Sequence, residues 1–206
     1  MRRPLSRARI IRAALEVIDR EGLEALTMRR VAARLGVEAM SLYHHVPSKD
    51  AILEGVFDLA VAEAELPKGE VSAADWIRGS AEAFRRLVRD HPRAFPLFTS
   101  RPVPLVDVAA AQPMEDGLAA FARLGMTPES AFAAVQAVSL AMLAVGLLES
   151  RVALEPHPDV VTKLAELPVD RFPLLSAVLE LDIDPELIWS SLVDALVRGL
   201  GEPESA

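Results

Sequence analysis

The sequence predicts an all-α protein, with a small N-terminal three-helix domain and a larger C-terminal helical domain. Composition is the first reason. About half of the 206 residues are hydrophobic, 5% are aromatic, Ala and Leu are abundant, and no β-branched run appears; helices use residues this way, sheets do not. Periodicity is the second reason: apolar residues recur at i, i+3, i+4 and i+7 between capping residues and Gly or Pro breakers. Charge is the third, because it divides the chain. The total is −8, yet residues 1–50 hold ten Lys and Arg against six Asp and Glu, a net +4, and residues 51–206 hold twelve against twenty-four, a net −12. A basic front on an acidic body suits a chain that sets one end on a polyanion.

Taken in order, Met1 to Leu5 reads as an arm, and Ser6 as the N-cap of a first helix whose stripe is Ile11, Ala14, Leu15 and Ile18, stopped by Gly22. Thr27 caps a second helix with Met28, Val31, Ala32 and Leu35 on one side, and Gly36 ends it. A third, short helix buries Leu42 and Val46. On the helical wheel Met40 and His44 point the other way. Pro47-Ser48 opens a fourth helix, Lys49 to Leu66, closed by Pro67-Lys68-Gly69. The expected division is therefore a front domain at 1–47, a connecting helix at 48–67 and a rear domain at 68–206.

In the rear, a fifth helix spans Asp75 to His91 with Trp76, Ile77, Phe84, Leu87 and Val88 inward. A short helical segment follows at Arg93 to Thr99, then a rigid corner at Arg101-Pro102-Val103-Pro104. Leu105 to Leu124 is helical, with Pro113 the expected break. Thr127 and Pro128 start the longest helix, to about Arg151. Its apolar centre, Ala131 to Leu148, is interrupted by Gln136 and Ser139 and reads as a buried helix rather than a membrane span. Short helices are expected at Val160 to Leu167 and Phe172 to Leu181, with Glu155-Pro156-His157-Pro158 as a loop. The last helix runs from Pro185 to Leu200 behind Asp184. The small residues Ala131, Ala134, Ala137, Ala141 and Ala144, and the apolar face of the last helix, predict a four-helix interface with a twofold mate through 128–151 and 185–200; the alternative is an ordinary monomer core.

The stretch TMRRVAARLGVEAMSLYHHVPSK carries the functional signal. Arg29, Arg30, Arg34, His44, His45 and Lys49 are interleaved with Thr27, Ser41 and Tyr43, the groups that grip phosphate oxygens. A helix as short as the third is held only by its neighbours, which is how a recognition helix is presented to a major groove. Lys49 adds to this: a cation in a first helical turn opposes the macrodipole unless both face a phosphate. The alternative is a helical hairpin that merely closes a bundle, giving a ligand-binding or interaction protein that does not bind DNA.

The run LTMRRVAARLGV…LYHHVPSKDAIL resembles the DNA-binding motif of the tetracycline-repressor (TetR) family of bacterial transcription regulators, with Leu42-Tyr43-x-His45-Val46 its more specific piece. Leu87 to Pro102 and Phe121 to Glu149 resemble the rear domain of the tetracycline-repressor subgroup. The resemblance implies phosphate contacts at Thr27, Ser41, Tyr43, His45 and Lys49, and base reading by Arg29 and the start of the third helix, within a surface that also takes in Met28, Ala39, Met40 and His44. Ala39 and Met40 stand where the tetracycline repressor has glutamine and proline, and His44 replaces a tryptophan. Neither Ala39 nor Met40 reads a donor/acceptor pattern, so a different operator is expected.

For the rear, the expected effector contacts are Ser80, Phe84, Phe98, Arg101, Phe121, Gln136 and Met142, apolar lining with a few polar anchors. The histidines with which the tetracycline repressor holds its drug as a magnesium chelate are missing, so no metal and no cofactor are expected, and the effector should be a more apolar organic molecule. Without cysteine there is no disulfide, thiolate zinc site or thiol chemistry. No phosphate loop appears, and His91 and His157 stand isolated beside prolines. An enzyme is not expected. No apolar region follows MRRPLSRAR, so a cytoplasmic protein is expected.

Overall fold

The computed structural model describes residues 4–100, 108–154, 168–179 and 185–201. These residues are helical, and no strand occurs among them. The elements are α1 (Arg7–Glu21), a 3-10 turn (Leu23–Ala25), α2 (Met28–Leu35), α3 (Ala39–Tyr43), α4 (Lys49–Glu63), α5 (Ala73–Asp90), α6 (Pro96–Ser100), α7 (Val108–Ala122), α8 (Pro128–Leu154), α9 (Pro173–Leu179) and α10 (Pro185–Leu200).

The front ends where its caps say. The hydroxyl of Ser6 accepts from Arg9 N at 3.4 Å, that of Thr27 from Arg30 N at 3.2 Å, and that of Ser48 from Ala51 N at 3.1 Å. Each satisfies a donor that a helix start would otherwise leave bare. Gly36 takes the left-handed conformation, φ 66°, and Val37 N closes the turn onto the Ala32 carbonyl at 3.1 Å. The 3-10 turn carries no Gly or Pro and gave no sign in the sequence.

Two apolar cores organise the chain. One joins α1 to α4, with Ile10, Ile18, Leu42, Val46 and Val56 fully enclosed, and it also takes in Leu87 and Val88 from the end of α5 and Phe95, Leu97 and Phe98 around α6. The other joins Trp76 and Ile77 of α5, Phe121 of α7, Val135, Val138 and Met142 of α8, and Trp189 and Val197 of α10. α4 packs on α1 in the head and on α6 and α7 in the body, so it belongs to both halves.

Several expectations shift. α4 ends at Glu63 rather than Leu66, α5 begins at Ala73, and α6 occupies Pro96–Ser100 after a turn. α7 runs unbroken through Pro113; the proline forfeits one backbone donor, which a helix packed on both α5 and α8 tolerates. α8 reaches Leu154. Its stretch Pro128–Leu147 is long and apolar enough to cross a membrane by length and composition, and about a third of that window is buried. It packs on α5, α6, α7 and α10 through one side: Ala131, Ala134, Val135, Val138 and Met142 are buried, while Ala133, Ala137, Leu140 and Ala144 are open. The expectation of a buried helix therefore holds for one face only. Arg101, the 155–158 loop, the Val160–Leu167 helix and the Asp184 cap lie outside the described residues.

Candidate nucleic-acid interface and effector cavity

The front surface is built from what α2, α3 and the start of α4 leave outside. Leu42 and Val46 pin α3 from below, each with no exposure. Five residues cannot hold a helix by themselves, so these anchors fix its aim. Above them Met40 is 72% and Tyr43 46% exposed, and Thr27, Arg29, His44, His45 and Lys49 are exposed with them, while Ser41 is half-buried. Met28 and Ala39 also sit half-buried, both packed on the core. The other predicted front residues are thus exposed or half-buried on α2, α3, the turn after α3 and the start of α4, while these two contribute mostly to the core.

The arginines divide by partner. Arg30 pairs with Glu21, and Arg34 with Glu16 at 2.5 Å, both acids of α1. These two cations fasten α2 to α1, and their proximity to the motif is structural. Arg29 and Lys49 have no hydrogen-bond or ion-pair partner among the described residues. They are the cations free for an outside anion. Thr27, whose oxygen is occupied by Arg30 N, still has its hydroxyl proton to donate.

Behind this surface lies a cavity of about 130 Å³ between α4, α5, α6, α7 and α8. Its wall is mainly apolar, with Phe57 and Val61 from α4, Phe84 from α5, Phe98 from α6, Pro113 and Met114 from α7, and Val135, Val138 and Leu143 from α8. Trp76, Ser80, Gln136 and Ser139 supply its polar atoms. Of the expected contacts, Ser80, Phe84, Phe98 and Gln136 line it. Phe121 and Met142 do not: both are fully enclosed in the second core, Phe121 edge-on to Trp76 at 5.8 Å between ring centres. The sequence reading missed Phe57, Val61 and Trp76 as lining; the i, i+4 spacing of Trp76 and Ser80 was the available clue.

A second polar cluster ties body to head. His91 Nδ1 lies 2.9 Å from Asp19 Oδ2 of α1, and its Nε2 3.8 Å from Glu63 of α4, whose carboxylate also takes Arg12 at 3.2 Å. Arg93 donates to the carbonyls of Asp19, at 3.3 Å, and Arg20, at the C-terminal end of α1, where a cation suits the helix dipole. The hydrogen bond to Asp19, with the charges of Asp19, Glu63 and Asp90, holds the His91 pKa above its usual 6.5 against the opposing effect of burial. His91, isolated in the sequence, is the centre of an interdomain clasp. Less than two turns back along α5, Arg85 reaches Glu186 of α10 at 2.5 Å and lies 5.3 Å above the Trp189 ring. That hydrogen bond raises the Arg85 pKa and lowers that of Glu186.

Residues 10–56 match the model of the bacterial regulatory proteins of the tetR family, and these are the residues of α1 to α4 just described. Its N-terminal region is a TetR-family DNA-binding domain. The transcriptional repressor DrrR1 of Streptomyces coeruleorubidus is 36% identical over 131 residues, 62% of this chain and 47% of the relative. The chain spans about half the length of the curated relatives it matches. Among solved TetR-family structures, apo ActR from Streptomyces coelicolor superposes with a TM-score of 0.80 at 28% identity, covering 96% of this chain and 95% of ActR. ActR in complex with actinorhodin gives 0.79 at 27% identity, over 96% and 97%.

Proposed function

We propose that this chain is a dimeric DNA-binding transcriptional repressor, released from a near-palindromic operator by a small organic effector in the α4–α8 cavity. The observation that carries the reading is the path of α4. It starts with Lys49 beside α3, and eight residues on, about 12 Å along the axis, it places Phe57 in the cavity wall against Phe98, 4.9 Å between ring centres. A ligand pressing on Phe57 therefore moves the element that carries the front surface.

The mechanism is linkage. A ligand that binds better to the form with misaligned recognition helices lowers operator affinity by that difference and no more. Arg29 reads a guanine, and Thr27, Ser41, Tyr43, His45 and Lys49 hold phosphates. Met40 and Ala39 supply apolar contact, and His44 extends the surface. Two copies joined through the open faces of α8 and α10 set the half-sites ~34–36 Å apart. Leu140 on α8 and Leu187 and Ile188 on α10 are 58%, 60% and 62% exposed, and covering them supports this pairing. The domain division is the head at 1–47, the connecting helix at 48–67 and the effector and dimer domain at 68–206. The protein works in the cytoplasm and carries out no catalysis.

DrrR1 is named a repressor and ActR has been captured with actinorhodin; both support a repressor with an organic ligand. The test is selection of binding sites from random duplex DNA at two salt concentrations. An enriched palindrome with a steep salt dependence is expected. No enrichment at low salt, before and after refolding to strip any bound ligand, would reject DNA binding.

A further inference from the structure

The cavity has an asymmetry in its polar atoms. Trp76 and Ser80 stand one turn apart on α5, with Cβ atoms about 5–6 Å from each other, and are 5% and 2% exposed. Both line the cavity, and neither Trp76 Nε1 nor Ser80 Oγ has a hydrogen-bond partner among the described residues. Buried polar atoms are nearly always partnered. An indole N–H can only donate, so whatever completes this wall must accept. On the facing helix, Ser139 Oγ already gives its proton to the Val135 carbonyl at 2.9 Å. The described lining holds no Asp, Glu, Lys, Arg or His. A charge placed here would find no counter-charge and would lose its hydration.

We infer that Trp76 and Ser80 select a neutral, mainly apolar molecule that presents a carbonyl-type oxygen to α5. The inference rests on the cavity being the effector site and adds the chemistry of what fills it. Trp76 Nε1–H donates to that oxygen, and Ser80 Oγ–H donates to the same oxygen or to one beside it. The apolar remainder lies between Phe84 and Phe98. The volume suits one or two rings: an engineered apolar cavity of ~150 Å³ holds benzene. Donor-only and cationic molecules of the same shape leave the indole N–H unmet and are rejected.

The experiment uses the full chain with ¹⁵N-labelled tryptophan. Its two indole N–H resonances belong to Trp76 and to Trp189, and Trp189, under Arg85 away from the cavity lining, is the internal control. The probes are 1-indanone, indane and 1-aminoindane: one bicyclic frame bearing an acceptor, nothing polar, or a cationic donor. The expected result is that 1-indanone binds about tenfold more tightly than indane, shifts the Trp76 indole proton downfield and leaves Trp189 unmoved. Trp76→Phe should erase that preference while indane binding persists, and Ser80→Ala should reduce it. Indanone and indane binding alike, with the Trp76 proton unmoved, would overturn the inference and leave the cavity reading intact. Equal binding of 1-aminoindane would overturn the neutral class. Binding of none of the three would remove the cavity reading and the inference together.

Discussion

The head and the body both mark their working surfaces with unmet polar groups, at opposite depths. In the head, most arginines of the motif are tied to acids of α1, and Arg29 and Lys49 stand free in solvent. In the body Arg85 pairs with Glu186 and His91 with Asp19, and the buried atoms without a partner are two neutral ones, on Trp76 and Ser80, beside one carboxylate oxygen of Asp116, whose other oxygen accepts from Gln112. The difference matches the partner proposed for each. A polyanion is met at the surface, where an unpaired cation costs little because water solvates it. An organic ligand is met in a low-dielectric space, where an unpaired charge is prohibitive and an unpaired N–H costs on the order of 1–3 kcal/mol.

The largest effect should come from breaking the surface that belongs to neither pattern, the open apolar face of α8. Ala137→Glu with Leu140→Glu puts two like charges where the twofold mate would lie. The protein should become a monomer by sedimentation, and operator affinity should fall ~10²–10⁴-fold as the second half-site ceases to be intramolecular. A dimer that survives both substitutions would place the interface elsewhere. Next in size is Arg29→Ala, expected to lose roughly 1–3 kcal/mol on the selected operator and to relax choice at one base pair. Competition binding against random duplex measures it. Equal losses on both DNAs would make Arg29 a phosphate contact and would blur the distinction drawn between it and Lys49.

Much of the head was legible because its signals are local. Ser6, Thr27, Gly36 and Ser48 each act on residues within a turn or so, and the stripe through Leu42 and Val46 decides which side of α3 faces out. The body was less legible because its determinants are distant. His91 finds Asp19 72 residues away, and nothing in the neighbouring sequence announces it. Trp76 was readable as inward, but whether its N–H meets a partner depends on α7 and α8. Gly146 shows the same limit: a methyl there would lie 2.4 Å from Phe95 Cζ, so this glycine, rather than the alanine stripe, admits the α6 corner.

The clasp that joins the halves gives a smaller, pH-dependent effect. His91 has a raised pKa in the folded protein, so its contribution is fully present below the unfolded value of 6.5 and is lost as pH rises through the raised folded value. Facing it are Asp19 of α1, Glu63 of α4 and Asp90 of its own helix. Thermal unfolding of the full chain should therefore show a midpoint that declines above neutral pH. His91→Gln should lower the midpoint by roughly 2–4 °C at pH 6 and remove most of that decline. A parallel pH dependence in the variant would show that the clasp is not held by charge.

The smallest effect separates binding from folding most cleanly. Lys49 occupies the first turn of α4, behind the Ser48 cap, where a cation opposes the helix dipole by a few tenths of a kcal/mol. Lys49→Gln keeps helix propensity nearly constant and removes only the charge. Free protein should be very slightly more stable, while every DNA is bound more weakly, operator and random sequence alike, with a salt slope shallower by about one unit. Opposite signs in the two measurements are the signature of a residue kept for its partner. A variant that loses stability as well as affinity would mean that Lys49 supports α4 itself rather than meeting an outside anion.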